Sequence, residues 1–162
     1  MKRAATALCI AALAVSAAIT AYAAGPHSQE RHAGTVHSAS NRLSLDQGRK
    51  WSTDEALRRS MEEIRAALAQ HRDAILRDML STDQERALGR TIENRVAAIL
   101  GESRLEASAA ANLQLVVADL VQAADILKGM ANPHGLRGDT LAVRATQMYA
   151  TYFEHPGWKP VF

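Results

Sequence analysis

Cysteine occurs once in the 162 residues, at Cys9, and aromatic side chains make up only 4% of the chain. A lone cysteine excludes an intramolecular disulfide, a multi-thiolate metal site and a Cys-x-x-Cys-His haem attachment. The sequence also lacks G-x-S-x-G, H-E-x-x-H, the Walker loop and G-x-G-x-x-G, the short patterns that mark common hydrolase, metalloprotease and nucleotide sites. Di-iron bundles require Glu-x-x-His, and that spacing is missing too. No stretch alternates apolar and polar residues as a half-buried strand does, so the pattern is all-α.

What is present begins with a leader. Lys2 and Arg3 precede an Ala-rich apolar stretch from Ala4 to Ile19, and Ala21-Tyr22-Ala23 supplies small residues at −3 and −1. This predicts a secretory signal peptide over residues 1–23, cleaved after Ala23, and hence a periplasmic protein. Thr6-Ala7-Leu8 lacks the small residue before Cys9 that lipid attachment requires. Removing Lys2 and Arg3 lowers 19 basic residues to 17, against 17 acidic ones. A near-neutral chain without a dense basic run gives no electrostatic case for nucleic acid or anionic membrane. No second apolar run reads as long enough to span a bilayer, so no stable membrane insertion is expected after cleavage.

Residues 24–50 are polar and aperiodic, which predicts a flexible arm. From Trp51 onward the pattern predicts an up-down four-helix bundle over residues 51–162. Ser52-x-x-Glu55 reads as a capping box for a first helix from Thr53 to Met79, with Leu57, Met61, Ile64, Leu68, His71 and Ile75 as its apolar seam. Ser81-x-x-Gln84 restarts the chain into a second helix ending near Gly101. Leu113, Val116, Val117, Leu120, Ala124 and Leu127 mark a third, closed by Lys128-Gly129. Asp139 is the expected cap of a fourth, which should run to His155, where Pro156 ends it.

The segments "LDQGRKWSTDEALRRSMEEIR" and "YFEHPGW" resemble small proteobacterial periplasmic DnrO-like proteins, over roughly Leu45 to Trp158. The resemblance implies a secreted helical domain and supplies no mechanism. Relatives often carry a Cys and a His where this chain has Ser103 and Gln114, so no metal ligand carries over.

Candidate chemistry is sparse. His27, His32 and His37 repeat every five residues in the arm, a spacing that does not align on one helix face. They are weak candidates for copper, nickel or zinc. His71, in the seam, pairs arithmetically with Met79, Met130 or Met148 as axial haem ligands. His134 reads as a loop residue, and His155, at a helix C-terminus, should favour its protonated form. Glu62 and Glu63 fall among Arg58, Arg59 and Arg65, as surface ion pairs do. No cofactor is expected.

The strongest feature is the C-terminus. Once Tyr22 is set aside with the leader, six aromatic residues remain, and five lie between Tyr149 and Phe162. An even number of helices returns the chain to its starting end. Trp51, Tyr149, Tyr152, Phe153, His155 and Trp158 should therefore meet, as an end-cap on the bundle or an interaction cluster. The expected role is non-enzymatic binding of a periplasmic protein or small ligand, with a metal- or haem-handling bundle as the alternative.

Overall fold

The computed structural model describes residues 42–162. The predicted leader and most of the predicted arm, with His27, His32 and His37, lie outside the described residues. Those described form five α-helices and no strand: α1 (Glu55–Gln70), α2 (Arg72–Leu76), α3 (Thr82–Glu102), α4 (Ala107–Leu127) and α5 (Gly138–Tyr152).

The first helix starts later than its capping box predicts. Asp54, in extended conformation, is the N-cap, and its carboxylate accepts from Leu57 N–H at 2.7 Å. The same carboxylate accepts from the Ser103 hydroxyl at 2.8 Å and from Arg104 N–H, tying the start of α1 to the α3–α4 turn. A side chain that reaches two segments satisfies more orphan donors than the local Ser52 box could. The single helix expected over Thr53–Met79 is also broken. His71 N–H bonds Leu68 O at 3.0 Å, tightening the last turn of α1, and the chain restarts as α2. Leu68 and Ile75 stay buried on either side, so the apolar seam survives the break.

Two helices end in the same hydrogen-bond pattern. Met79 N–H reaches Ala74 O after α2, and Met130 N–H reaches Asp125 O after α4. The left-handed residue is Gly129 (φ 87°) after α4, as expected, but Asp78 (φ 56°) after α2. The Ser81/Gln84 capping box forms with both bonds. Asp139 is not a cap: α5 begins at Gly138, and the buried Asp139 carboxylate is held by Arg137 and by Thr140 N–H. Arg137 also pairs with Asp78 at 2.8 Å, joining the α4–α5 loop to the end of α2.

Helix α1 packs on α3, α3 on α4 and α4 on α5, while α5 and α1 meet least. The core lies between them, with Leu57, Met61, Ile64, Ile92, Val116 and Leu120 at its centre. Gly89 and Gly138 bring α3 and α5 close against the same stretch of α4. A Cβ on Gly89 would lie 2.9 Å from Ala124 O, and one on Gly138 would lie 2.8 Å from Ala123 O. Every α4 position predicted for the core is buried. The expectation that no later segment is long enough to span a bilayer needs correcting. The 21 residues of α4, with a mean hydropathy of 1.3, are long and apolar enough by length and composition. Its charge is confined to Asp119 and Asp125, so alanine content raises its hydropathy without a continuous run of large apolar residues.

The end of the predicted arm is part of the packed structure. Leu43 lies against the core, and Ser44 N–H bonds Asn112 Oδ1 at 2.8 Å. Asp46 and Arg49 close a tight turn through paired 2.8 Å backbone bonds, with Gln47 (φ 49°) and Gly48 (φ 86°) between them. Polar composition hid this order, because backbone pairing and one leucine hold the segment.

Candidate functional site: the α5–tail cleft

The last turn of α5 does not continue to His155. Phe153 N–H makes the final helical bond, to Tyr149 O, and the backbone then turns extended. It leaves the helix to pair with Trp51: Trp51 N–H bonds Tyr152 O, and Glu154 N–H bonds Trp51 O, both at 2.8 Å. The two ends of the domain therefore meet, through backbone bonds. Trp51 is half-buried, and its indole N–H donates to Ser44 O at 2.6 Å.

A turn follows, closed by Trp158 N–H on His155 O at 3.1 Å. Pro156 and Gly157 occupy its centre, and the Gly157 φ of 78° is the conformation a type II turn demands at that position. The turn folds Trp158 back onto Tyr149, with ring centroids 5.1 Å apart. Phe153 stacks on Tyr149 at 5.5 Å, and His155 lies 4.9 Å from Trp158. Tyr149 and Phe153 are fully buried, Tyr152, His155 and Trp158 half-buried.

The tail is not confined to the end of the helices. Val161 is buried, and Phe162 lies under the guanidinium of Arg72, at the start of α2, at 5.9 Å. Glu62 on α1 feels both His155 and Lys159. The aromatic segment thus follows α1 and covers the seam where α1 and α5 touch least. An end-cap would leave that seam open. Sequence topology placed the rings together but could not show that the gap ran lengthwise.

The Tyr149 hydroxyl lies 2.9 Å from His155 Nδ1. Burial holds the phenol well above its ordinary pKa. Burial also lowers the pKa of His155; Glu62 opposes this, and Arg58 and Arg65 reinforce it. With a protonated phenol and a neutral imidazole, either Tyr149 O–H donates to Nδ1 or Nδ1–H donates to the phenol oxygen, according to the tautomer. The protonated His155 expected from the helix dipole is therefore corrected, because the helix ends three residues earlier and the ring is packed. Glu62 is held ionised by hydrogen bonds from Arg65, at 2.9 Å from Nε, despite partial burial. Since Tyr149 is wholly buried, its hydroxyl is a structural latch closed to any ligand.

Between the tail and the outer face of α5 lies an open cleft of about 470 Å³. Lys50, Gln147, Thr151 and Trp158 bring it a cation, an amide, a hydroxyl and an indole; Pro160 and Val161 form an apolar wall. That volume falls within the range of small-molecule sites. Phe153 and His155 line it as well, and with Trp158 they are the lining residues that the sequence singles out. A signal existed: α5 carries no charged residue from Ala145 to Phe153, although Gln147 and Thr151 are exposed. An exposed helix face without charge is unusual for a solvated surface.

The remaining candidates lie outside this cleft. His71 is half-buried at the α1–α2 break, Met79 and Met130 are 68% and 56% exposed, and His134 is an exposed loop residue. Ser103 and Gln114 line a small apolar groove between α3 and α4. Among the described residues no three His, Cys, Asp or Glu side chains are placed to share a metal ion. No protein-family model matches the chain, and neither curated proteins nor solved structures give a match.

Proposed function

We propose that the chain is an exported, non-enzymatic four-helix bundle of up-down topology that binds a small ligand in the α5–tail cleft. The carrying observation is the cleft itself: about 470 Å³, with one cation, uncharged hydrogen-bonding groups and an indole on its walls. Pockets of this size, apolar in part and with few polar groups, are the usual form of a ligand site. Helix α2 continues the seam of α1, so α1–α2, α3, α4 and α5 act as the four rods of the bundle. The leader pattern of residues 1–23 supports export to the periplasm, and the resemblance to DnrO-like periplasmic proteins agrees with it.

The non-enzymatic reading rests on the groups facing the cleft. Its hydroxyls donate to their own helix, Thr146 to Val143 O at 2.7 Å and Thr151 to Gln147 O at 2.9 Å, and the His155 imidazole in the same cleft is held by Tyr149 at 2.9 Å. Catalysis would require a nucleophile and base within mutual reach. Native mass spectrometry of protein recovered from the exported fraction tests the proposal. A stoichiometric small-molecule adduct is the expected result, whereas a Soret band or near-stoichiometric metal in the same material would establish the metal- or haem-handling alternative.

A further inference from the structure

Lys50 alone among the cleft residues carries a formal charge, since burial favours neutral His155. Its ammonium is fixed at the rim by a 2.6 Å bond to Ala150 O. That carbonyl uses one of three N–H donors and leaves the charge in place. Asp46 and Glu154 share a neighbouring hollow with Lys50, but Asp46 is paired with Arg49 at 3.2 Å. Among the described residues Lys50 forms no ion pair. No carboxylate lines the cleft.

Apolar side chains line the same cleft. Trp158 packs one flank against Tyr149 and His155 and lines the cleft, beside Pro160 and Val161. An aromatic platform of this kind favours a planar ring in offset or edge contact. Gln147 and Thr151, one helical turn apart, add neutral polar groups that orient a ligand without selecting its charge.

We infer that the ligand is a small carboxylate-type anion borne on a flat apolar ring, its charge at Lys50 and its ring against Trp158. The inference rests on the cleft being the binding site. A cation would meet Lys50 with no carboxylate in the cleft to offset it. A neutral ligand would forgo the charge-assisted hydrogen bond that an anion makes with the ammonium.

The test follows the Trp158 indole N–H signal by ¹H–¹⁵N NMR during titration with 2-naphthoate, neutral 2-naphthylmethanol and cationic 2-naphthylmethylammonium. The expected result is a saturable shift with 2-naphthoate and at least roughly tenfold weaker binding of the other two, as loss of a charge-assisted bond implies. Lys50→Gln should weaken 2-naphthoate about tenfold while Lys50→Arg retains it, with unchanged circular dichroism showing that both variants fold. Equal binding of the neutral or cationic probe would overturn the anion assignment and leave the cleft in place as a site. No shift with any probe would overturn this inference, while the presence of an adduct on exported protein still judges the cleft separately.

Discussion

Replacing Gly89 with alanine should destabilise the protein, although helix propensity alone predicts the reverse. In the interior of a solvated helix, Gly→Ala gains about 1 kcal/mol. At Gly89 the new methyl would lie 2.9 Å from Ala124 O and 3.0 Å from Leu127 Cβ, and a backbone carbonyl cannot swing aside as a side chain does. Overpacking of this kind costs about 2–3 kcal/mol, leaving a net loss of about 1–2 kcal/mol. Gly138→Ala should lose about 2 kcal/mol, because Ala123 O and Leu127 Cγ both lie 2.8 Å away and the propensity gain is small at the first helical position. Gly101 is the control: nothing lies within 4 Å of its Cβ position, so Gly101→Ala should gain up to about 1 kcal/mol. Urea unfolding reads these differences as shifts in midpoint at constant slope. If Gly89→Ala stabilises as Gly101→Ala does, α3 and α4 do not approach as closely as described and the packing account is wrong.

Three further outcomes follow from the same contacts. Asp54→Ala should cost about 2 kcal/mol, measured by urea unfolding at pH 7, since it removes a helix cap and the bonds from Ser103 and Arg104; a loss below about 0.5 kcal/mol would refute the cross-link. Burial raises the Asp54 pKa, but its hydrogen bonds to Leu57, Arg104 and Ser103 lower it further. Its contribution is thus present above the ordinary value of 3.8 and disappears as pH falls through the depressed folded value. His155 also has a depressed pKa, so protonation opposes folding, and stability should decline as pH drops below the ordinary value of 6.5. A His155→Gln variant should flatten the melting temperature between that value and the carboxylate range, and an unchanged slope would count against His155 as the titrating group. Truncation after His155 removes half-buried Trp158 and buried Val161 and should cost about 3 kcal/mol or more, seen as a lower melting temperature; an unchanged melting temperature would contradict the tail's role in closing the α1–α5 seam.

Local rules carried the sequence a long way where one segment contains both partners of an interaction. The Ser81/Gln84 box, the Gly129 terminus and the buried face of α4 depend on residues a few positions apart, and each forms as the spacing predicts. Errors arose where a distant segment supplied the competing partner. Asp54 displaced Ser52 as the cap because Ser103 and Arg104 reach the same carboxylate. Trp51 drew the backbone away from α5 before Pro156 could end the helix. The meeting of Trp51 with the aromatic tail is the one long-range expectation that the backbone pairing bears out. The cleft was not legible, because the bond that brings Lys50 to Ala150 O on α5 joins residues 100 positions apart.

The most direct test of a ligand cleft between α5 and the tail is native mass spectrometry of exported protein with the cleft filled. Ala150 lines the cleft, whereas Ala111 is exposed on α4 away from it. With folding checked by melting temperature, Ala150→Trp should lose the small-molecule adduct while Ala111→Trp keeps it. An adduct that persists at full occupancy in Ala150→Trp would contradict the account and place the binding site elsewhere on the protein.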